Sequence, residues 1–265
     1  MAPPLDPLTK AQLTRVKRCP VHCPVIEFQI ESLAGFLTVL GMTNGLWCRG
    51  HDDLRFDLVP SALRYPSEDL RNAALSLMVD FRRLGEIKLA RPPRWDEEFR
   101  WVQLAQHYGV PTRLLDWTES PIVALYFASQ NTRIDGGIYV MNPVDLNRAS
   151  FPSRPRILDQ HQDSKIVEQY LRLTGSVSAK KKLKTVAVNP VWNSERLMAQ
   201  KGVFTLHGTE FNLNRDQAPS LVFIPILRDF KLQLQRDLER IGIDEMSVFP
   251  ELEHTCRFLK RRAGL

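Results

Sequence analysis

Polar side chains interrupt an otherwise apolar stretch of the sequence between Trp101 and Ser129, WVQLAQHYGVPTRLLDWTESPIVALYFAS. The polar residues of its central part are His107, Thr112, Arg113, Asp116, Thr118, Glu119 and Ser120. Polar groups set within apolar sequence must find hydrogen-bond partners or face a cavity. The stretch therefore predicts a binding or catalytic site. For each residue the alternative is a helix cap or a structural hydrogen bond.

Arg49 is the strongest single candidate for such a site. It stands near the end of a predicted strand over residues 46–51, LWCRGH. An arginine at the end of an apolar strand is unfavourable unless it binds an anion or pairs with a carboxylate. Gly50, which follows it, leaves room for the close approach of a ligand or of another backbone segment. The sequence thus predicts an anion-binding arginine, with a structural ion pair as the alternative.

The central stretch also predicts a backbone arrangement that suits anions. Its apolar spacing predicts a helix over residues 95–108, a buried strand over residues 113–117 and a second helix over residues 121–129. Thr118 or Ser120 is placed to cap this second helix. A strand that leads directly into a helix N-terminus exposes free N–H groups and the positive end of the helix dipole. Phosphates and other anions are favoured at such a junction.

The remaining elements predict an α+β fold. Helices are expected over residues 27–40, 68–89, 157–173 and 230–241 and after residue 249, and strands over residues 138–141, 185–189, 203–207 and 221–227. A turn is expected at Gly136-Gly137. Because strands and helices do not alternate regularly, we predict one domain with a mixed or antiparallel central sheet and a helix-rich N-terminal half. Residues 1–24, which prolines interrupt, are predicted to be an N-terminal arm, and residues 25–265 the domain.

The composition narrows the class of protein. Of the 265 residues, 43% are hydrophobic and 25% are charged, as in ordinary globular proteins. No apolar run approaches the roughly 20 residues that span a membrane, and the N-terminus lacks the apolar core of a signal peptide. We therefore expect a cytoplasmic protein without a membrane partner. The net charge of +6 weakly favours polyanions, although basic runs such as residues 180–184 and 257–262 are typical of solvated surfaces.

A metal site is not expected. Cys19, His22 and Cys23 are close in sequence and could provide three zinc ligands, but Cys48 and Cys256 stand apart from them. Structural zinc sites take four ligands at a recognisable spacing, and that spacing is incomplete here. Four cysteines in a chain expected to be cytoplasmic do not indicate a disulfide framework either.

Several segments of the sequence resemble the FRG domain family. They are residues 47–51 (WCRGH), 58–60 (LVP) with Arg64, 104–118 (LAQHYGVPTRLLDWT), 120–121 (SP), 124–128 (ALYFA), then Gln200, Gly202 and Phe204, and residues 249–252 (FPEL). The family is named for a Phe-Arg-Gly motif, in which this chain has Cys48 at the place of the aromatic residue. The resemblance covers residues 25–255.

The layout of that family is in turn similar to that of ADP-ribosyltransferases. Those enzymes carry an arginine or histidine followed by glycine on the first core strand, a Ser/Thr motif on the second and a glutamate late in the chain. Arg49-Gly50 matches the first feature, and Thr118 or Ser120 the second. At the expected place of the late glutamate this chain has Gln200. The possible substitutes are Glu195, Glu210, Glu251 and Glu253.

The resemblance implies an enzyme that uses NAD as its substrate and cleaves the nicotinamide–ribose bond. Arg49 would hold a phosphate through charge-assisted hydrogen bonds. A carboxylate, Asp116 or a late glutamate, would stabilise the developing cation. The other expected residues are His107 and Thr112 at the ribose or diphosphate, Tyr108 or Trp117 stacked on the nicotinamide, and Gly50, Arg113, Thr118 and Ser120 along the NAD site.

Three functions remain open at this point. The first is an ADP-ribosyltransferase, as in a toxin or a phage-defence effector, that modifies a protein or a nucleic acid. The second is a non-catalytic module that binds a nucleotide or nucleic acid in the same arginine–histidine pocket. The third is a nuclease that uses His51, His107 and His207 as acid and base. Transfer predicts Arg49, His107 and Thr118 around one cleft with a carboxylate. A binding module predicts the cleft without the carboxylate, and a nuclease predicts two histidines that face each other.

Overall fold

Six strands form an antiparallel sheet in a computed structural model of the chain, which describes residues 5–17, 22–153, 155–173, 182–192, 194–209, 211–216 and 221–264. The strands are β1 (Trp47–His51), β2 (Leu114–Thr118), β3 (Gly136–Met141), β4 (Val186–Val188), β5 (Gly202–Leu206) and β6 (Leu221–Ile226). Their order in the sheet is β4-β5-β2-β1-β3-β6, and each pair of neighbours is antiparallel. The predicted α+β fold with an antiparallel central sheet is confirmed.

Helices cover the sheet, and five of those in the described residues precede β3. These five are α1 (Lys10–Lys17), α2 (Leu33–Leu40), α3 (Glu68–Lys88), α4 (Glu98–His107) and α5 (Pro121–Ser129). The later ones are α6 (Pro143–Arg148), α7 (Ser164–Leu171), α8 (Glu195–Ala199), α9 (Leu213–Asp216), α10 (Arg228–Arg240), α11 (Glu245–Val248) and α12 (Leu252–Arg262). Within the described ranges, none of the helices combines the length and the apolar character needed to cross a bilayer.

Three helices begin later than the sequence predicts because their first residues bond elsewhere. Residues 25–29 are extended, since Ile26 N–H donates to the Phe223 carbonyl, and Ser32 then caps α2. In α4, residues 94–97 form a turn in which Arg94 N–H donates to the Glu97 side chain. Before α7, Leu158 forms a bridge with Val188 of β4. Extended pairing before α2 and α7, and a hydrogen-bonded turn before α4, therefore override the helical spacing.

Helix α3 has the predicted bounds to within one residue, but only part of its predicted inner face is buried. The sequence predicts an inner face of six residues, which are Leu70, Ala74, Leu77, Met78, Phe81 and Leu84. Ala74 is buried and Met78 and Phe81 are partly buried, as predicted. The three leucines are 49%, 47% and 60% exposed, and Gly85 is buried. A Cβ at Gly85 would lie 2.8 Å from the indole ring of Trp101, so the glycine lets α4 pack closely and sets the rotation of α3.

Gly136 and Gly137 begin β3 rather than forming the predicted turn. A Cβ at Gly137 would overlap the ring of Phe223 on the neighbouring strand β6. The glycine pair thus accommodates an aromatic ring that lies flat against the sheet, which the turn propensity of Gly-Gly does not indicate.

The described part of the N-terminal arm packs against the sheet. Val16 of α1 is fully buried in the core, and Arg15 forms an ion pair with Asp135. Cys19, one of the three candidate zinc ligands, lies outside the described residues. Cys23 is buried, and its thiol pKa is raised to about 12 by burial.

The sheet opens between β1 and β2. These strands share the single register pair Cys48↔Thr118, whereas β1 pairs with β3, and β2 with β5, at five positions each. On one face a single hydrophobic cluster runs across the opening. On the other face the core is divided into a cluster around α5 and a second cluster around β4, β5 and α7. A gap therefore remains over the opening on this second face.

We expect Gly50→Ala to destabilise the protein by about 1–3 kcal/mol, the usual cost of overpacking a core. A Cβ at Gly50 would overlap the Ala124 carbonyl oxygen and lie 2.8 Å from the Ala128 nitrogen, both on the backbone of α5. Urea unfolding of the two proteins gives the difference. In the control Gly41→Ala, the new Cβ lies 3.4 Å from its nearest neighbour and should change stability little. Equal midpoints for Gly50→Ala and wild type would contradict the assigned packing role.

Candidate functional site

A cavity of about 280 Å³ lies over the opening between β1 and β2. Residues from both divided clusters line it, among them Val123 and Phe127 on α5 and Phe204 on β5. The predicted site residues that line it are Arg49, Gly50, His107, Asp116, Trp117, Thr118 and Gln200. Segments from four parts of the chain thus bring most of the predicted residues to one place.

Arg49 spans the gap between the two strands. Its Nε–H donates to Nε2 of His51 at 2.9 Å, and one N–H of Nη1 donates to the backbone carbonyl of Asp116 on β2. Burial lowers the pKa of Arg49 to about 10, which the nearby Asp116 charge partly opposes, so the guanidinium stays charged at neutral pH. A guanidinium has five N–H groups. No described residue accepts from the other three, which are therefore available to an anion.

A chain of hydrogen bonds orients the Asp116 carboxylate. Thr112 Oγ1 donates to Oε1 of Gln106 at 2.5 Å, and Nε2 of Gln106 donates to Oδ2 of Asp116 at 2.9 Å. Thr112 Oγ1 also accepts from the N–H of Leu114 at 3.1 Å, which fixes the hydroxyl. Gln106 thus presents its amide nitrogen, and not its oxygen, to Asp116.

His107 occupies the last position of α4 and lines the cavity. Burial lowers its pKa, and the charge of Arg196 lowers it further, while Glu251 acts in the opposite direction. The imidazole is therefore neutral at pH 7, with one nitrogen able to donate and the other able to accept. Such a ring can bind a hydroxyl group of a ligand in either direction.

Hydrogen bonds of Thr118 and Gln200 connect the end of β2 to the end of α8. Thr118 Oγ1 donates to the backbone carbonyl of Gln200 at 2.6 Å and accepts from the N–H of Ser120 at 2.9 Å. The side-chain amide of Gln200 donates to the carbonyl of Val248, at the end of α11, at 3.2 Å. The polar wall of the cavity is held in place by these contacts.

Four predicted ligand residues lie outside the cavity lining. Tyr108 is 60% exposed beside Phe81. Arg113 is buried and donates to the backbone carbonyls of residues 173, 207 and 208. Ser120 caps α5 by accepting from Val123 N–H, and Thr112 holds Gln106. For Arg113, Ser120 and Thr112 the alternative of a cap or a structural hydrogen bond applies.

Two predicted residues that do line the cavity are constrained by the fold. Gly50 is required because the α5 backbone approaches it closely. Of the two reasons considered for this glycine, a ligand or another backbone segment, the structure shows the backbone segment. Trp117 directs its indole N–H away from the cavity, to Thr205 Oγ1 at 3.0 Å.

Asp116 is the one carboxylate among the described residues that line the cavity. Two of the possible substitutes for a late glutamate form ion pairs. Glu251 Oε1 lies 4.0 Å from Arg196 Nη1. Glu253 is exposed and pairs with Arg257. Glu195 is in the first turn of α8 and does not line the cavity, and Glu210 lies outside the described residues. Gln200, at the expected place of the late glutamate, is uncharged and cannot act as a carboxylate.

Sequence reasoning missed Gln106 and Arg196. Gln106 precedes His107 directly, and its contacts with Thr112 and Asp116 form only once β2 has folded back beside α4. Arg196 lines the cavity from α8 and stacks on Phe249 at 4.8 Å. No apolar pattern marks Arg196, since it lies on a five-residue helix.

The histidines do not form a catalytic pair. His51 and His207 are buried, and of the three only His107 is among the residues that line the cavity. His207 Nδ1–H donates to the Phe211 carbonyl, and Nε2 accepts from Thr205 Oγ1, each at 2.9 Å. The observation that a nuclease requires, two histidines facing each other, is not found in this region.

The fold and site define an α+β protein with an antiparallel sheet and a polar cavity that contains a partly buried arginine and a carboxylate. Comparison with family models gives a match to the FRG domain over residues 44–135. The matched segment carries β1, α3, α4, β2 and α5 and supports the resemblance to the FRG domain family over these residues. The comparisons with curated proteins and with solved structures returned no match.

The buried histidines predict a loss of stability in acid. Burial lowers the pKa of His207 to about 3, whereas an unfolded histidine titrates near 6.5. Between these pH values the unfolded chain binds the additional proton, so the free energy of unfolding falls as pH falls. The slope from His207 rises from about 0.7 kcal/mol per pH unit at about pH 6.5 to a limit of about 1.4 in more acid solution. His51, whose pKa is lowered in the same direction, adds to it.

Urea unfolding of His207→Gln between about pH 5 and pH 6.5 tests this expectation. Glutamine can donate to Phe211 and accept from Thr205, so the variant should fold and lose stability less steeply in acid than wild type. The control is His161→Gln at an exposed position, which should keep the wild-type slope. Equal slopes for His207→Gln and wild type would show that His207 does not titrate as described.

Proposed function

We propose that the protein is an NAD-dependent ADP-ribosyltransferase that transfers the ADP-ribosyl group to a macromolecular acceptor. The observation that carries the proposal is that the described lining of one cavity contains a charged arginine and one carboxylate, with His107 and Thr118 beside them. Cleavage of the nicotinamide–ribose bond needs an anchor for the diphosphate and a negative charge near the ribose carbon that becomes positive. Arg49 and Asp116 supply these two groups.

The three unassigned N–H groups of Arg49 bind the diphosphate of the substrate. Two other bonds already fix the guanidinium, so little side-chain entropy is lost when the anion binds. The cavity volume of about 280 Å³ lies just below the range of small-molecule sites, which span roughly 300–1,000 Å³. It therefore accommodates the nicotinamide riboside half of NAD, and the adenosine half extends outward past Arg49.

Asp116 stabilises the positive charge that develops on the ribose when the C–N bond breaks. The bonding electrons leave with the nicotinamide, the acceptor atom forms the new bond at the ribose carbon, and the acceptor releases its proton to solvent. His107, neutral at pH 7, binds a ribose hydroxyl and keeps the sugar in register with Asp116. Gln106 keeps the carboxylate in one orientation, which holds the reacting groups in the required geometry.

Variants of the two charged groups separate binding from transfer. Asp116→Asn should lower the transfer rate by about 100-fold or more, as loss of a charge-stabilising group does, while NAD affinity changes little. Arg49→Gln should weaken NAD binding by about tenfold or more, because a charge-assisted hydrogen bond is lost. NAD labelled in its adenylate part, incubated with the protein and a cell lysate, measures transfer, and calorimetry measures NAD binding.

Glu195→Gln is the matched control, because Glu195 lies on α8 near the site but does not line the cavity. It should keep both activities. NAD binding that depends on Arg49, with no label on protein, DNA or RNA, would favour the non-catalytic nucleotide-binding module. Absence of NAD binding would overturn the proposal. The label on protein or nucleic acid identifies the acceptor class.

Gln106→Leu tests whether the orientation of Asp116 matters to the reaction. The substitution removes the donor to Oδ2 and should lower kcat by about tenfold, with KM nearly unchanged, because Gln106 acts through Asp116. Gln162→Leu, at an exposed position outside the cavity, should leave both constants unchanged. A rise in KM alone would instead place Gln106 in contact with the substrate.

A further inference from the structure

A second groove, of about 690 Å³, lies beside the loop that follows β1. Four arginines line it: Arg55, Arg64, Arg71 and Arg215. Three aromatic residues line it as well: Phe56, Tyr65 and Phe211. These residues come from segments 55–71 and 211–215, and neither segment contains the basic runs seen in the sequence. The fold therefore gathers a basic and aromatic surface that no single stretch of sequence displays.

The aromatic rings of this groove are accessible. Phe56 is 53% exposed and Tyr65 is 39% exposed, although large aromatic side chains gain most from burial. Phe211 is half-buried, and the Arg71 guanidinium lies 5.7 Å from its ring centroid. Accessible rings beside guanidinium groups provide flat surfaces on which the bases of an unpaired strand can stack.

The guanidinium groups of the groove are largely uncompensated. In the described part of the chain, Arg64, Arg71 and Arg215 have no carboxylate within ion-pair distance, and Arg55 is paired with Asp53. Arg64 and Arg71 are positioned by the carbonyls of Val59 and Tyr65. The two carboxylates that line the groove, on Asp57 and Asp216, accept from the side chain and the backbone N–H of Asn212. In the described residues, three guanidinium groups without an ion pair thus share the groove with two carboxylates.

We propose that this groove binds single-stranded nucleic acid, with phosphates on Arg64, Arg71 and Arg215 and with bases stacked on Tyr65 and Phe56. A single strand presents both parts at once, a row of phosphates and accessible base faces. The overall charge of +6 attracts such a polyanion. The groove is separate from the cavity that contains Asp116, so this binding is additional to the proposed transfer activity and does not require it.

The test measures fluorescence anisotropy of labelled oligonucleotides of about 12 nucleotides, within the usual range of site sizes, without NAD. One arm uses DNA, one uses RNA of the same sequence, and one uses the DNA duplex. Wild type should bind at least one of the two single strands about tenfold or more tightly than the duplex, because only unpaired bases can stack. Preference between DNA and RNA identifies which of the two is bound.

Three variants assign the contacts. Tyr65→Leu should weaken binding by about tenfold, since one stacking contact is lost. Arg215→Gln and Arg71→Gln should each reduce the slope of log affinity against log salt by about 0.7. The matched control is Arg83→Gln, which removes the same charge from an exposed site near the other end of α3 and should leave the slope unchanged. Urea unfolding establishes that each variant is folded.

Several outcomes would overturn the proposal. The proposal fails if the wild-type protein binds neither single strand at about 100 mM salt, because even non-specific binding to nucleic acid is measurable at that salt concentration. Equal affinity for duplex and single strand would show that bases do not stack on Tyr65 and Phe56. Equal effects of Arg83→Gln and Arg215→Gln would show a diffuse charge effect and no groove. Because NAD is absent from every arm, none of these results depends on the transfer activity.

Discussion

The bond from the Arg49 guanidinium to the Asp116 carbonyl crosses the gap in the sheet, and the cavity depends on it. The two strands share one register pair at this place, so a side chain satisfies a carbonyl that a continuous ladder would satisfy with a backbone N–H. Both acceptors of Arg49, a carbonyl and a neutral imidazole, are uncharged. The positive charge is therefore positioned without a direct ion pair, and it remains available to an anion.

The gap persists because the two clusters that flank it are each closely packed and remain separate. Gly50 lets α5 approach β1 so closely that the helix backbone, and not side chains, meets the strand. Helix α4 and the residues around β5 then form a separate cluster on the far side. Side chains from the two clusters line the cavity without meeting across it. Close packing on both flanks thus leaves a polar space at the centre, which is a usual place for a ligand site.

The sequence predicts the elements of this site better than it predicts side-chain direction. The strand β2, the helix α5 and the glycine end of α4 follow from local rules, and Gly109 has the positive φ of 80° expected after a helix. Arg49, His107 and Asp116 follow from polar residues in apolar surroundings. The same signal selected Arg113, which points to backbone carbonyls at the end of β5. A buried polar residue has a partner in either case, and only the fold decides which one.

Contacts between distant segments account for the residues that local patterns missed. Gln106 matters because β2 folds back beside α4, and Arg196 because α8 closes the cavity from 80 residues further along the chain. The exposed leucines of α3 have a similar origin, since Gly85 and Trp101 fix the rotation of that helix. No spacing pattern in the sequence predicts these contacts, because each one depends on how two secondary-structure elements pack against each other.

His51 connects the cavity to the arginine-lined groove, and its protonation state matters to both. Its ring contacts Phe56 of the groove at 6.0 Å between centroids, and its Nε2 accepts from Arg49. A protonated imidazole has no lone pair on Nε2 and could not accept this bond. Burial lowers the pKa of His51, and the charges of Arg49 and Arg64 lower it further. Burial, together with the arginines of both sites, therefore keeps His51 neutral, and the neutral ring in turn keeps Arg49 in place.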